Sequence, residues 1–171
     1  MLDLIRQTYR RQYGAALAML ADCITRCEPA GWEAPVGSIP FWHVAYHALF
    51  YADLYLSPRE NEFERRPFHQ ENSQFFGRLP FPPHTPVTLE RIYDRQTLLA
   101  YVPHCLAKLD LSLASETEAT LAGESGFPWL PIPRGELHIY NIRHIQHHTG
   151  QLSATLVREQ GAGAGWVGTR E

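Results

Sequence analysis

Apolar positions fall into four stretches of helical period, separated by breaks that carry proline and glycine. In the first, from about Leu2 to Cys27, the residues Ile5, Tyr9, Tyr13, Leu17, Leu20, Ile24 and Cys27 recur at three- and four-residue steps. That spacing lines one face of a helix. A break follows at Glu28-Pro29-Ala30-Gly31, with Pro35 and Gly37 beyond it. The second stretch, Phe41 to Leu56, is apolar nearly all round, which predicts a helix buried on more than one side. Ser38 fits as its N-cap and Pro40 fits its first turn, and Ser57-Pro58 ends it. The third begins near Thr88 or Asp94 and runs to about Leu113, with Pro103 inside it predicting a kink or a late start. The fourth starts after Pro131 and Pro133, near Arg134, runs to about Glu159 and is terminated by Gly161 and Gly163. The Gly-rich tail to Glu171 reads as extended.

The implied class is all-α. A helix of twenty residues is about 30 Å long, and the stretch from Ser57 to Val87 can cross that distance, so helices 2 and 3 are expected to run parallel. The shorter links leave helices 1/2 and 3/4 antiparallel. The prediction is a four-helix up-down-down-up bundle with a long crossover between helices 2 and 3. A structureless connection of such length is unusual in a compact domain. It contains Phe63, Phe68, Phe75, Phe76, Leu79 and Phe81, and so is expected to pack as a flap. The chain shows no internal repeat, and its 171 residues read as a single domain spanning 1–171.

Composition narrows the partners more than it names them. Apolar residues make up 44% and charged residues 19%, the balance of an ordinary folded domain, and the formal net charge of -3 is spread over mixed-sign positions. Without a basic tract, nothing favours nucleic acid or an anionic membrane. No apolar run approaches the roughly 20 residues of a membrane span, and Met1–Arg6 lacks the apolar core of a signal peptide. Cys23, Cys27 and Cys105 are odd in number and set within helical patterns, which predicts a reduced, cytoplasmic protein. Cys23 and Cys27 are four apart and could pair on a metal. The plainer reading is two small apolar residues on the inner face of helix 1.

The chemistry concentrates in histidine. Three of the nine histidines lie within five residues of helix 4, and His144 and His148, four apart, stack one turn above the other on one face. Two imidazoles so placed can converge on one metal ion. His147 lies about 100° round the helix from His148 and should point aside. In the nearly dry helix 2, His47 needs a partner for its ring nitrogens, and a metal shared with His144 and His148 would supply one. Three neutral imidazoles leave an open coordination position, the arrangement of a catalytic rather than a closed structural site. His43, four residues before His47, is the alternative third ligand, a fourth one, or a supporting group outside the ligand set. His69 and His84 fall in the flap and read as solvated; His104 and His138 have no partner at ligand spacing. There is no G-x-S-x-G turn, P-loop or dinucleotide fingerprint, and Ile145 stands where a zinc protease carries its glutamate.

One histidine in helix 2, with H-x-x-x-H-x-G-Q in helix 4 (His144 to Gln151), resembles the DinB/YfiT-like superfamily of metal-dependent enzymes. Leu137–Arg143 and Phe127-Pro128-Trp129-Leu130 look like one bacterial branch of it. The resemblance covers the whole chain in helix order. It implies a four-helix bundle, frequent homodimers, and a three-histidine divalent-metal site that maps onto His47, His144 and His148. Characterised relatives of that family include thiol-dependent S-transferases and a maleylpyruvate isomerase, which use low-molecular-weight thiols.

The leading expectation is therefore an enzyme that activates a thiol or a water on zinc or nickel, both suited to imidazole ligands, and acts on a small-molecule substrate. Tyr46, Tyr51, Tyr140, Asn141 and Arg143 are candidates for substrate contacts. The alternatives are a non-catalytic metal-binding stress-response protein, and a metal-free bundle whose histidines hydrogen-bond one another.

Overall fold

The computed structural model describes residues 1–170. The long amphipathic stretches become helices: α1 (Leu2–Arg26), α2 (Phe41–Tyr55), α3 (Arg95–Ser115) and α5 (Arg134–Gln160), with a short α4 (Glu118–Ala122) before the last. The protein is thus predominantly α-helical. The expectation of an all-α chain needs one correction: the break after α1 folds into a small antiparallel hairpin, β1 (Pro35–Val36) on β2 (Ile39–Pro40). Its turn takes in Gly37 at φ 65°, a backbone conformation that glycine adopts without strain.

That hairpin also removes Ser38 from its expected role. The N-cap of α2 is Pro40, with no side-chain cap. α1 and α5 likewise start without a side-chain cap, whereas α3 and α4 are capped by side chains. Asp94 accepts from the Thr97 backbone N–H at 2.7 Å and sets the start of α3, so the Thr88 start is excluded. Thr117 and Thr120 close a reciprocal capping box on α4. Pro103 sits inside α3 without delaying its start. Gly161, left-handed at φ 78°, terminates α5 as its position in the sequence implies.

Burial follows the periodicity. Tyr13, Leu17, Leu20 and Ile24 turn inward from α1, as do Leu98, Tyr101, Cys105 and Leu109 from α3. On α2 every residue is buried except His47 and Tyr51, which lie one turn apart. Helix α5 packs against α1 and α2, and α3 packs against the same two helices. α2 is therefore enclosed on two sides, which accounts for its apolar circumference. Among the described residues no helix is long and apolar enough to cross a membrane.

The connection from Ser57 to Asp94 packs down as a flap. Phe63, Phe68 and Phe76 lie against the core, whereas Phe81 stays exposed. Gln70 ties the two arms of the flap together: its amide oxygen accepts from the backbone N–H groups of Glu90 and Arg91 at 2.7 and 3.0 Å, and its amide nitrogen donates to the Arg91 carbonyl at 2.8 Å. Residues 162–170 of the C-terminal tail form no helix or strand and return along α1, with the Gly165 N–H donating to Asp22 and the Arg170 N–H to the Arg11 carbonyl, and Glu171 lies outside the described residues.

Candidate metal centre

Helices α2 and α5 bring three imidazoles together. Nε2 of His144 lies 3.2 Å from Nε2 of His47 and 3.2 Å from Nε2 of His148. The three ring nitrogens all lie within 4.8 Å of one another, and among the described residues this is the one group of three or more potential ligands that converges. The separation of His144 and His148 by one helical turn supplies two of them. The packing of α2 on α5 supplies the third.

The outer ring nitrogens determine which way the inner ones face. Nδ1 of His47 donates to the backbone carbonyl of Gln74 at 2.7 Å, and Nδ1 of His148 donates to the Gln151 amide oxygen at 2.9 Å. A carbonyl oxygen only accepts, so each bond fixes the proton on Nδ1 and leaves a lone pair on Nε2. Both lone pairs point at the centre, as a metal ligand requires. His144 makes no such bond: its Nδ1 is buried without a hydrogen-bond partner.

The surroundings keep these imidazoles neutral. Burial, reinforced by the neighbouring rings of His148 and His144, pushes the His47 pKa down to about 2. Burial and the adjacent histidines hold His144 at about 3. Burial lowers His148 as well, partly opposed by its bond to Gln151. Three neutral nitrogen donors with no carboxylate among them suit a divalent ion of borderline softness.

Aromatic rings border the group, in which His148 is buried and His47 and His144 are half-buried. Phe76, from the flap, stacks on His47 at 4.1 Å between centroids and stands edge-on to His148 at 6.0 Å. Tyr51 lies 4.8 Å from the His47 ring and 5.3 Å from that of His144. Tyr140 stacks beyond His144 at 6.5 Å.

The other histidines separate cleanly from this group. His43 is buried against Trp42 and donates from Nε2 to the Ser73 carbonyl at 2.8 Å, so it stands outside the ligand set. His147 is exposed and turned aside, as the helix geometry requires. His84 is exposed, but His69 corrects the expectation of a solvated loop histidine. It sits among Tyr46, Phe50, Phe63, Phe68 and Tyr101, and burial holds its pKa at about 4. Cys23 and Cys27 are both buried, and among the described residues they belong to no group of three potential metal ligands.

Of the five proposed substrate contacts, Tyr51 and Tyr140 border the centre. Tyr46 instead bonds Ser73 Oγ at 2.7 Å, and the buried Asn141 donates to the Ala52 carbonyl at 3.2 Å. Arg143 is exposed.

Three contributors were missed in the sequence: Phe76, Gln151 and the Gln74 carbonyl. Gln151 was detectable, three residues after His148 on the same helix. The carbonyl carries no signature in sequence.

Two buried ionic networks were also missed. Asp53, fully buried on α2, accepts from Tyr101 Oη at 2.7 Å and Lys108 Nζ at 2.6 Å, and lies 3.2 Å from His104 Nε2. Glu116 Oε1 accepts from Arg134 Nε at 2.9 Å and His138 Nε2 at 3.1 Å. His138 Nδ1 faces the Tyr13 hydroxyl at 3.3 Å.

No protein-family model matches this chain, and no curated protein or solved structure matches it either.

Proposed function

We propose that this chain is a divalent-metal-dependent enzyme whose ion is held by His47, His144 and His148. The reading rests on one observation: the hydrogen bonds from His47 to Gln74 and from His148 to Gln151 leave two Nε2 lone pairs aimed at the Nε2 of His144. A divalent ion bound there would supply a nucleophile at neutral pH by acidifying a thiol or a water in its open position. Phe76 packs on His47 and His148 from the flap side, while Tyr51 and Tyr140 border the centre beside His144.

The reading includes membership of the DinB/YfiT-like superfamily, with α1, α2, α3 and α5 as the up-down-down-up bundle and the flap as its crossover. It is supported by the pairwise packing of those helices and by the spacing of His144 and His148. Zinc or nickel would be the ion, a low-molecular-weight thiol the co-substrate, and S-transfer to a small electrophile or metal-dependent hydrolysis the reaction.

Elemental analysis of untagged protein, followed by a thiol-by-electrophile screen of the loaded form, tests this. Stoichiometric metal with turnover is the expected result. Stoichiometric metal with neither thiol transfer nor hydrolysis would replace it with the non-catalytic metal-binding reading, and protein free of metal would overturn both.

A further inference from the structure

Residues 73–76 of the flap grip one face of α2. The Ser73 carbonyl accepts from His43 Nε2 at 2.8 Å, the Ser73 hydroxyl meets Tyr46 Oη at 2.7 Å, and the Gln74 carbonyl accepts from His47 Nδ1 at 2.7 Å. Phe76 stacks on His47 and stands edge-on to His43 and to His148 of α5. Positions 43, 46 and 47 share a helical face, so a single short segment of the flap meets all of them.

Behind that segment stands Gln70. Its carbonyl accepts from the Ser73 hydroxyl at 2.8 Å, and its backbone N–H donates to Tyr93 Oη at 2.8 Å. Tyr93 is buried and stacks on Tyr46 at 4.3 Å. The Gln70 amide holds the returning arm at Glu90 and Arg91. Gln70 is therefore a clasp: it bonds both arms of the flap and fixes where the Ser73 and Gln74 carbonyls sit, while it bonds none of the three histidines itself.

The three histidines are not supported alike. His148 takes its outer bond from Gln151 on its own helix, whereas His47 takes its outer bond from the flap. Lifting the flap would leave the α5 pair in place and strip His47 of the contact that aims its ring. Only the closed flap presents all three nitrogens oriented. Loss of an outer partner of this kind costs about 10- to 100-fold in metal affinity. A coupling of binding equilibria runs equally in both directions, so the ion must favour closure by the same factor.

Resting on the metal reading above, we propose that flap closure and metal binding at the three-histidine centre are one linked equilibrium, with Gln70 as the positioning residue that couples them. The ion clamps the flap through His47, and its loss releases residues 70–76 from α2.

Hydrogen exchange followed by mass spectrometry reads this without any activity assay. In the natural chain, Zn(II) should slow exchange of the backbone amides of residues 70–76 by about 10- to 100-fold over chelator-treated protein, the same ratio as above. Gln70→Ala should speed exchange of those amides in the metal-free protein and weaken Zn(II) affinity, by up to that ratio. Glu116→Gln, which destabilises the bundle away from the flap, is the control for a general loss of stability and should keep the natural Zn(II) affinity.

Three results would each overturn the proposal while leaving the metal reading standing. They are flap exchange in the natural chain that Zn(II) does not change, Gln70→Ala with natural flap exchange or natural Zn(II) affinity, and Glu116→Gln weakened as much as Gln70→Ala. If Gln70→Ala does not fold, the natural chain with and without Zn(II) decides alone. Failure of the natural chain to bind Zn(II) would overturn the metal reading itself, and this proposal with it.

Discussion

The Nδ1–H of His47 donates to the backbone carbonyl of Gln74 at 2.7 Å, joining α2 to the middle of the flap. This bond sets the tautomer and ring orientation of a histidine that reaches the centre from a different helix than its two partners. The flap is thus part of the centre's support as well as its cover.

Removal of one of the three imidazoles should abolish stoichiometric metal. His148→Ala leaves two nitrogens and no replacement donor, since His147 is exposed on another face of α5. Mass-spectrometric metal content of the purified variant is the check, and full occupancy would remove His148 from the ligand set.

Gln151→Ala should weaken metal affinity without removing a ligand. It deletes the acceptor 2.9 Å from His148 Nδ1 and so frees the ring to rotate and change tautomer. Losses at such supporting positions are about 10- to 100-fold. Competition with a chromophoric chelator measures this, and an unchanged affinity would show that packing alone orients His148.

Metal binding should raise the melting temperature, because an ion that binds only the folded centre stabilises it by mass action. At free ion about 100 times the dissociation constant the gain is about 2.7 kcal/mol, or roughly 5–10 °C for a chain of this size. Thermal scans with and without a chelator test it. His148→Ala should show no such difference.

Acid should destabilise the protein through Glu116 and His138, at a distance from the proposed centre. Burial alone would raise the Glu116 pKa, but the bonds from His138, Arg134 and Thr120 outweigh it and hold the carboxyl at about 2. A depressed carboxyl contributes stability above its unfolded pKa of about 4.3, and loses it as pH falls toward 2. Burial lowers His138 as well, so its preference for the neutral state begins to cost stability once pH drops below about 6.5. Both effects have the same sign. Urea unfolding should therefore show stability falling steadily from pH 7 to pH 3. Glu116→Gln leaves Arg134 without its carboxylate, should cost roughly 3 kcal/mol at pH 7, and should flatten the acid limb below pH 5. A variant with the natural pH slope there would exclude Glu116 as its source.

Much of the fold was legible because helical burial is periodic. The steps at Tyr13, Leu17, Leu20 and Ile24 mark one face whatever lies opposite, and the four long helices fall within a few residues of their expected ends. Local chemistry misled where a short hairpin competed. Ser38 has the right side chain for an N-cap, yet the pairing of Pro35–Val36 with Ile39–Pro40 places it in a turn. His69 misled for the opposite reason. Its place in a long loop suggested solvent, but the flap folds its ring among aromatics from α2 and α3.

The sequence alone determined that His144 and His148 face the same way, because the pitch of an α-helix fixes the relation between positions four apart. It left the choice between His43 and His47 open, since the same pitch puts both on one face of α2. Tertiary structure brings His47, and not His43, to the other two. The flap presents two successive backbone carbonyls to α2: that of Ser73 takes Nε2 of His43 and holds it away, while that of Gln74 takes Nδ1 of His47 and leaves its Nε2 directed at His144. Every residue but proline carries the same amide and carbonyl, so which of them meets a given side chain is set by the path of the chain, not by the identity of the residues along it.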